Sequence, residues 1–394
     1  MSTMPVLVQK FGGTSVATAD ARRQAVEHVR RARRDGHQVA VVVSAMGRRG
    51  DPYATDTLLD LLRAEGASVN GRDYDLMFSC GEAIAAALMS HILRKAGVPA
   101  VPLTSAQARI YTDGRHQEAE ITDIDASRLR ACLAQGEVPV VTGGQGVVRD
   151  TLDYTTLGRG GSDTSGVEVG VALGAARVDI FTDVEGVATT DPRLVPAARL
   201  LERISYARMH EMARFGARVV HPRAITAGWK AAMPIFVRST FSNRRGTLID
   251  ASSDDSPTTG IAFLPVMRTV VAEPGEIGSG TKQDWERRHL VMSLVDGPTG
   301  ALVLGVQADR GPELDLAVQS AGAKVVAAPR DRAWVSLIGE SSELRAHSAA
   351  VLGLLAGELI QVDYHELAPL RMTLVVETGD LARAVRALHR WAFE

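Results

Sequence analysis

Two short glycine-rich stretches carry the residue types that bind anions. The first, VQKFGGTSV (Val8 to Val16), places Lys10 just before a double glycine, where a strand-like run meets a helix-like one. Backbone N–H groups at a helix start, with a lysine beside them, form an anion site. The alternative is a tight strand–helix turn with an exposed lysine, and this stretch alone does not decide between the two.

The second stretch, TTLGRGGSDTSG (Thr155 to Gly166), lacks the third glycine of the dinucleotide fingerprint and the lysine of a P-loop. Arg159 lies between glycines, where its planar guanidinium suits bidentate capture of a carboxylate. Ser162 and Thr164 are candidate N-caps of a following helix. Asp163 in its first turn is also compatible with a surface carboxylate that favours the helix dipole. A second loop of the same type strengthens the anion-binding interpretation of the first.

Two groups of acidic residues are candidates for binding or metal coordination. Glu82 lies near the start of a largely apolar helix, where an unpaired buried carboxylate is costly, so we expect a cationic partner. Asp183, Glu185 and Asp191 follow a strand, but their spacing matches no EF-hand loop and favours a solvated acidic turn. The chain has no H-E-x-x-H pair and no nucleophile elbow. The sequence therefore predicts no metal bound by the protein itself.

The elements that position these loops alternate between strand and helix from residue 6 to about 240. Strand-like runs such as PVLVQKF, HQVAVVVSAM, VPVVTG and VDIFTDV are separated by helical patterns, one of them long and apolar. This alternation predicts an α/β fold with a mostly parallel sheet that is covered on both faces. Ligands bind at the carboxyl ends of the strands in such sheets, and both glycine-rich stretches fall there.

A polar stretch, DASSDDSPTTG, predicts a domain boundary. We expect a first domain at 1–250, a linker at 251–260 and a second region at 261–394. Beyond the linker, two segments that start about 32 positions apart share an outline of strand, turn, helix and strand. This outline predicts two small α+β units in tandem.

The bulk composition excludes several classes of protein. The 394 residues carry a formal net charge of −2, which argues against a protein that coats nucleic acid or a polybasic membrane protein. The longest apolar runs, such as Val39–Val43, are too short to cross a bilayer. Two cysteines are too few for a disulfide framework. We expect a reduced, cytoplasmic protein that binds neither nucleic acid nor membrane.

Taken together, the motifs resemble those of the aspartate kinase family, within the larger group of amino-acid kinases. The matching stretches occur in the family's order and cover residues 6 to about 249: VQKFGGTSV, VVVSAMG, ATDTLLDLL, SCGE, TTLGRGGSDTSG, FTDVEG, TTDPR, GARVVHPRA and VRSTFSNRRGTLI. Residues 333–394 resemble the family's ACT regulatory region. The resemblance implies a three-layer αβα catalytic fold followed by ferredoxin-like, ACT-type units. It also implies transfer of the ATP γ-phosphoryl group to the β-carboxylate of L-aspartate, the first step toward lysine, threonine and methionine.

The resemblance implies roles for individual residues. Lys10 and Asp163 would be catalytic, Arg159 would bind the substrate α-carboxylate, and Glu82 would face its ammonium group. The other substrate contacts would be Thr14, Ser15, Ser44, Thr55, Gly160 and Ser162, and the ATP contacts would be Lys10, Gly12, Gly13, Thr182, Asp183, Arg193 and Arg218. Mg²⁺ would arrive with the nucleotide. The C-terminal region would bind an amino-acid effector and join a homo-oligomer, a dimer or higher.

Four positions depart from the family's pattern. Arg218 replaces a lysine, Ala188 a tyrosine and Gly144 a phenylalanine, and HELAPL (His365 to Leu370) replaces a TSEI segment. Gly144 and Ala188 leave open a related amino-acid kinase that acts on a different acid. A non-catalytic subunit that binds an amino acid is the third possibility, although such a protein would not need a phosphoryl-transfer set.

Overall fold

The computed structural model describes residues 4–66, 68–252, 258–273, 285, 292–295, 299 and 301–394. The chain forms two compact units. Unit 1 consists of Met1–Val187, Leu200–Tyr206 and Arg218–Ser253, and unit 2 of Ala188–Arg199, Ala207–Ala217 and Asp254–Glu394. Unit 2 thus includes two stretches that precede the expected linker at 251–260, and that linker remains a prediction.

Unit 1 is built on an eight-stranded sheet. Its strands are β1 (Val6–Phe11), β2 (Gln38–Val43), β3 (Ala100–Leu103), β6 (Val138–Thr142), β9 (Arg177–Thr182), β10 (Arg203–Ser205), β11 (Ile235–Ser239) and β12 (Thr247–Asp250). They lie in the order β10-β12-β11-β9-β1-β2-β6-β3. Every neighbouring pair is parallel except β11 with β12. The mostly parallel sheet expected from the alternation of strands and helices is confirmed.

Helices cover this sheet and a smaller sheet accompanies it. The helices are α1 (Gly13–Val16), α2 (Ala19–Arg34), α3 (Thr55–Glu65), α4 (Gly71–Lys95), α5 (Ser127–Ala134), α6 (Gly161–Leu173) and α8 (Pro222–Lys230), while α7 (Tyr206–Arg214) continues into unit 2. The smaller sheet contains β4 (Ile110–Thr112), β5 (Ile121–Ile124), β7 (Gln145–Val148) and β8 (Tyr154–Thr156), in the order β5-β4-β7-β8. Its strands are too short to give a periodic signal, so the sequence analysis did not predict them.

Alternate residues of β1 face opposite layers, because successive side chains of a strand point to opposite faces. Leu7 and Phe11 pack in a buried core that includes residues of α2 and α4, such as Met89. Lys10 points to the other face, where α6 approaches so closely that a Cβ at Gly166 would lie 3.0 Å from the Lys10 Cβ. The three-layer αβα arrangement is therefore confirmed.

Among the described residues, α4 is the one helix long and apolar enough to cross a membrane by length and composition. The sequence analysis expected no such segment. Ala85, Met89 and Leu93 of α4 are buried in the core, and Asp75 and Glu82 on the same helix are buried too. The core of unit 1 therefore accounts for the apolar character of α4.

Unit 2 contains a six-stranded antiparallel sheet in the order β14-β15-β13-β16-β18-β17. Its strands are β13 (Thr258–Ala272), β14 (Met292–Val295), β15 (Leu302–Gln307), β16 (Val325–Gly339), β17 (Val362–Ala368) and β18 (Arg371–Val376). The described α-helices that follow β13 along the chain are α9 (Gly311–Ser320), α10 (Ser341–Gly357) and α11 (Leu381–Phe393). One helix-on-sheet core includes Leu314 of α9, and another includes Leu355 of α10 and Leu388 of α11. This architecture agrees with the expected ACT-type α+β units.

One of the two longest described strands of unit 2, β13, was not predicted. β13 spans 15 residues and pairs with the equally long β16, with a register shift between Leu264 and Met267. Pro265 lies at this shift, and proline within a strand is confined to edges or bulges. An internal proline and a preceding polar stretch therefore made β13 hard to predict, although it pairs with β15 on one side and with β16 on the other.

The burial of α4 predicts different costs for the same substitution on its two faces. Leu93 is completely buried and Leu76 is 56% exposed. Leu93→Ala should lower the free energy of unfolding by about 3 kcal/mol, because it leaves a cavity in the core. Leu76→Ala should lower it by no more than about 0.5 kcal/mol. Urea denaturation measures both, and equal losses would contradict the assignment of the buried face.

Candidate active site

The carboxyl ends of three central strands lie side by side in unit 1. β1 pairs with β2 and with β9, so that Phe11 lies opposite both Val43 and Phe181. Gly12 and Ser44 follow β1 and β2, and Thr182 is the last residue of β9. The first glycine-rich stretch and Ser44 therefore lie together at one edge of the sheet. Both glycine-rich stretches were expected to follow strands of this parallel sheet, but the second follows β8 of the smaller sheet, which is antiparallel to β7.

A buried ion pair joins the two glycine-rich stretches. The Lys10 Nζ lies 2.5 Å from Oδ1 of Asp163, and both side chains are almost inaccessible to solvent. The second carboxylate oxygen of Asp163 accepts a hydrogen bond from the His221 backbone N–H at 3.4 Å. The alternative interpretations were an exposed lysine in a tight turn for Lys10 and a surface carboxylate for Asp163. The structure contradicts both, because both side chains are buried.

The glycine loop before α6 has a backbone that other residues would strain. Gly160 has a φ of +68°, and a Cβ there would lie 2.2 Å from the ring of His221. Glycine is required on both counts, because it adopts positive φ freely and adds no side-chain atoms. Arg223 fixes the loop from the other side by donating to the Leu157 carbonyl at 2.5 Å and the Ala119 carbonyl at 2.8 Å.

The loop after β2 closes against both glycine-rich stretches. The Ser44 hydroxyl donates to the Ser162 hydroxyl at 2.8 Å. A Cβ at Gly13 would lie 2.8 Å from the Gly47 carbonyl oxygen and 2.9 Å from that of Ala45. Gly13 therefore permits the close approach of two loops, which is a packing role as well as the ATP contact that the resemblance implied.

Glu82 is buried without the cation that the sequence analysis expected. Its Oε1 accepts from the Ala45 backbone N–H at 3.1 Å, and its Oε2 has no hydrogen-bond partner among the described residues. Burial raises the pKa of Glu82 to about 8, and the bond from Ala45 opposes this rise. The expectation of a cationic side chain from the protein was wrong, because a backbone amide takes part of that role.

Two residues of the first glycine-rich stretch support the loop from within. The Gly12 N–H donates to the Phe181 carbonyl at 3.2 Å, and so does the Ser15 hydroxyl, also at 3.2 Å. Ser15 is completely buried, and its hydroxyl accepts from that of Thr240 at 2.6 Å. These contacts tie the stretch to the ends of β9 and β11, and they leave the Ser15 hydroxyl turned away from solvent.

The remaining predicted site residues differ in their exposure, in their partners and in the unit that contains them. Asp183 is exposed, accepts from the Thr182 hydroxyl at 3.1 Å and pairs with Arg48 at 2.7 Å. Arg159 and Arg218 are exposed and form no hydrogen bond or ion pair with another described residue. Thr14 and Thr55 are partly buried, and Arg193 lies in unit 2, where it binds Asp191.

Three residues that contact the predicted site were not predicted from the sequence: Asp75, His221 and Arg223. His221 and Arg223 lie in GARVVHPRA, which was recognised as a motif, but no periodic or charge pattern assigns their partners. Asp75 carries the same signal as Glu82, a carboxylate on an apolar helix, and could have been found in the same way.

The arrangement suits the binding and transfer of an anionic group. A lysine ammonium lies at the edge of a parallel sheet beside two glycine-rich backbones, and Arg159 extends next to them into solvent. Cations and backbone amides at such an edge stabilise the charge of a phosphoryl group. No group of three or more His, Cys, Asp or Glu side chains in the described part of the chain could hold a metal ion.

Comparisons with known proteins show which family shares this sequence and fold. The model of the "Amino acid kinase family" matches residues 5–239, more than half of the chain. Aspartokinase 1 of Bacillus subtilis (strain 168) is 47% identical over 246 residues, which span 62% of this chain and 61% of that protein. The aspartokinase of Mycolicibacterium smegmatis is 35% identical over 411 residues, which span 98% and 96%. The structure of E. coli aspartokinase III in complex with aspartate and ADP covers 99% of this chain and 100% of its own, with 25% identity and a TM-score of 0.82.

The fold and the site define an ATP-dependent phosphotransferase of the amino acid kinase family, to which this chain belongs. Within that family, its relatives over almost the full length place it among the aspartokinases.

The burial of Glu82 predicts a pH-dependent cost to folding. Unfolded glutamate ionises above about pH 4.5, whereas folded Glu82 holds its proton up to about pH 8, so stability falls as the pH rises between these values. Glu82→Gln keeps an acceptor for Ala45 and removes this loss. The variant should gain on the parent by up to about 1.4 kcal/mol per pH unit in that window, with no further gain above it.

Urea denaturation across this pH range measures the difference. Glu65→Gln is the matched control, because Glu65 is exposed on α3. Parallel pH profiles for the parent and the Glu82→Gln variant would contradict the raised pKa.

Proposed function

We propose that this protein transfers the γ-phosphoryl group of ATP to the β-carboxylate of L-aspartate and forms 4-phospho-L-aspartate. The observation that carries the proposal is the buried pair of Lys10 with Asp163, which joins the two glycine-rich stretches at the carboxyl edge of the sheet. The aspartokinase relatives and the E. coli enzyme bound to aspartate and ADP support the choice of substrates.

The chemistry needs alignment and cations more than it needs a base. The aspartate side chain has a pKa of about 3.9, so it is ionised at neutral pH and attacks without losing a proton. One carboxylate oxygen forms a bond to the γ-phosphorus as the bond to the β–γ bridging oxygen breaks, and ADP leaves with that electron pair. The Lys10 ammonium stabilises the charge on the phosphoryl oxygens during this displacement.

The substrate amino acid is held between Arg159 and Glu82 in this proposal. Arg159 is exposed between glycines, so its guanidinium is available to bind the α-carboxylate through two hydrogen bonds. The unpartnered Oε2 of Glu82 suits the α-ammonium group, whose arrival would favour the ionised carboxylate. Thr14, Ser44, Thr55, Gly160 and Ser162 complete the substrate contacts, with Ser44 and Ser162 already joined to each other. Ser15 supports them from beneath the loop.

ATP binds next to the same edge of the sheet. Its contacts in unit 1 are Lys10, Gly12, Gly13, Thr182, Asp183 and Arg218. Mg²⁺ would arrive with the nucleotide and would neutralise the charge of its phosphates. The N–H of Gly12 already donates to the Phe181 carbonyl, so Gly12 would lie beside the nucleotide without donating that hydrogen bond to it.

Unit 2 is the site of regulation and assembly in this proposal. The E. coli enzyme has been solved with lysine and aspartate in a T-state, which supports an amino-acid effector for the ACT-type region here. β17 lies at an edge of the six-stranded sheet and contains His365, where the segment departs from the family's pattern. An edge strand offers unpaired backbone groups to a second copy, which supports a homo-oligomer. In this proposal the protein acts in the cytoplasm, which supplies both ATP and L-aspartate.

The role of Lys10 predicts a loss of turnover. Lys10→Met removes the ammonium group and should lower kcat for ADP release with Mg-ATP and L-aspartate by about 10²- to 10³-fold. Lys95→Met is the matched control at an exposed lysine and should keep parental turnover. Circular dichroism establishes that the variant is folded, and full activity of folded Lys10→Met would overturn the role.

The role of Arg159 predicts a selective loss of aspartate binding. Arg159→Ala removes charge-assisted hydrogen bonds and should raise KM for aspartate at least about tenfold, with KM for ATP within about twofold. Arg23→Ala, at an exposed arginine of α2, should change neither value. The parent protein is also assayed with L-glutamate and other amino acids that carry a side-chain carboxylate. Turnover that requires one of these in place of aspartate would favour the alternative substrate that Gly144 leaves open.

A further inference from the structure

A buried carboxylate next to the site takes no part in the mechanism above. Asp75 of α4 is completely buried and gathers several donors. Its Oδ1 accepts from the Thr156 hydroxyl at 2.5 Å, its Oδ2 lies 2.6 Å from Nδ1 of His116, and the Gln117 N–H donates to both oxygens at 3.1–3.2 Å. A carboxylate that accepts this many bonds is a strong anchor, because charge-assisted hydrogen bonds are stronger than neutral ones.

The groups that Asp75 holds form the back of the glycine loop. Thr156 is the last residue of β8, and Arg159 follows it three residues later. Gln117 has a φ of +69°, and its carbonyl oxygen lies so close to the glycine loop that a Cβ at Gly158 would approach it to 3.0 Å. Asp75 thus fixes both the strand that enters the loop and the segment on which the loop rests.

One face of α4 reaches three parts of the site. Asp75, Phe78 and Glu82 are spaced three and four residues apart, so they lie on the same side of the helix. Asp75 binds the glycine loop, the Phe78 ring lies 3.3 Å from a Cβ placed at Gly144, and Glu82 binds the loop after β2. A shift of this helix relative to the sheet would therefore move all three parts together.

We propose that Asp75 is a positioning residue for the amino-acid substrate: by binding Thr156, His116 and the Gln117 N–H, it holds the glycine loop so that Arg159 points at the substrate carboxylate. Arg159 has no hydrogen bond or ion pair of its own among the described residues, so its direction is set by the loop backbone. This inference rests on the proposed function for the identity of the substrate. The arrangement of the loop does not depend on it.

The test uses neighbouring threonines that are equally buried. Thr156→Val removes the hydroxyl that binds Asp75, and Thr156→Ser keeps it. Thr155→Val is the matched control, because Thr155 is also completely buried and its hydroxyl lies 2.6 Å from that of Thr112, away from Asp75. KM values for aspartate and ATP are measured on the full chain. Trypsin cleavage after Arg159, followed by mass spectrometry, reports the order of the loop independently of turnover.

Thr156→Val should raise KM for aspartate about tenfold, leave KM for ATP within about twofold, and speed cleavage after Arg159 several-fold. Thr156→Ser and Thr155→Val should stay close to the parent in every readout. Equal effects of the two valine substitutions, or equal rises in both KM values, would overturn the proposal. If the parent shows no aspartate-dependent turnover, the proposed function fails, and the cleavage rates of the two valine variants alone decide the role of Asp75 in the loop.

Discussion

The burial of two opposite charges, Lys10 and Asp163, is the constraint on which the rest of unit 1 depends. Either charge alone in this position would be strongly unfavourable, and removing one partner of such a pair typically costs about 3–5 kcal/mol. The pair therefore requires the end of β1 and the start of α6 to meet. Their meeting in turn requires Gly166, where a larger residue would press on the lysine side chain. The ammonium group that the proposed mechanism uses is thus held by the fold itself.

A parallel sheet brings its loops to one edge, but it does not determine how each loop turns. In unit 1 separate anchors do this: Phe181 for the first glycine-rich stretch, Arg223 and Asp75 for the second, and Glu82 for the loop after β2. Most of these anchors are buried, and each acts on backbone groups or on a hydroxyl. Arg159 can therefore stay exposed, as its proposed role in substrate binding requires, while its surroundings stay ordered.

The alternation of strands and helices was sufficient to predict the parallel sheet, whereas the ligands of the glycine-rich stretches stay a prediction. The partners of individual groups were not predictable, since they depend on contacts between residues far apart in the chain. Glu82 was expected to find a cation and instead binds the Ala45 amide. Ser15 was expected to face substrate, yet its hydroxyl is turned inward to Phe181 and Thr240. The donors to Asp75 come from Thr156 and from the segment around 116, some 80 and 40 residues along the chain, so they could not be predicted.

The two units are built from alternating segments of the chain, which delays the packing of some residues during synthesis. Six segments alternate between the units, so the stretches 188–199 and 207–217 leave the ribosome long before the sheet of unit 2 exists. Val195 packs in the core around α10 and α11, and Phe215 in the core around Trp334. Each of these two side chains can pack there only after residues more than a hundred positions later in the chain have been synthesised. A chain cut at the end of the kinase motifs would leave these two side chains without the packing partners that unit 2 supplies.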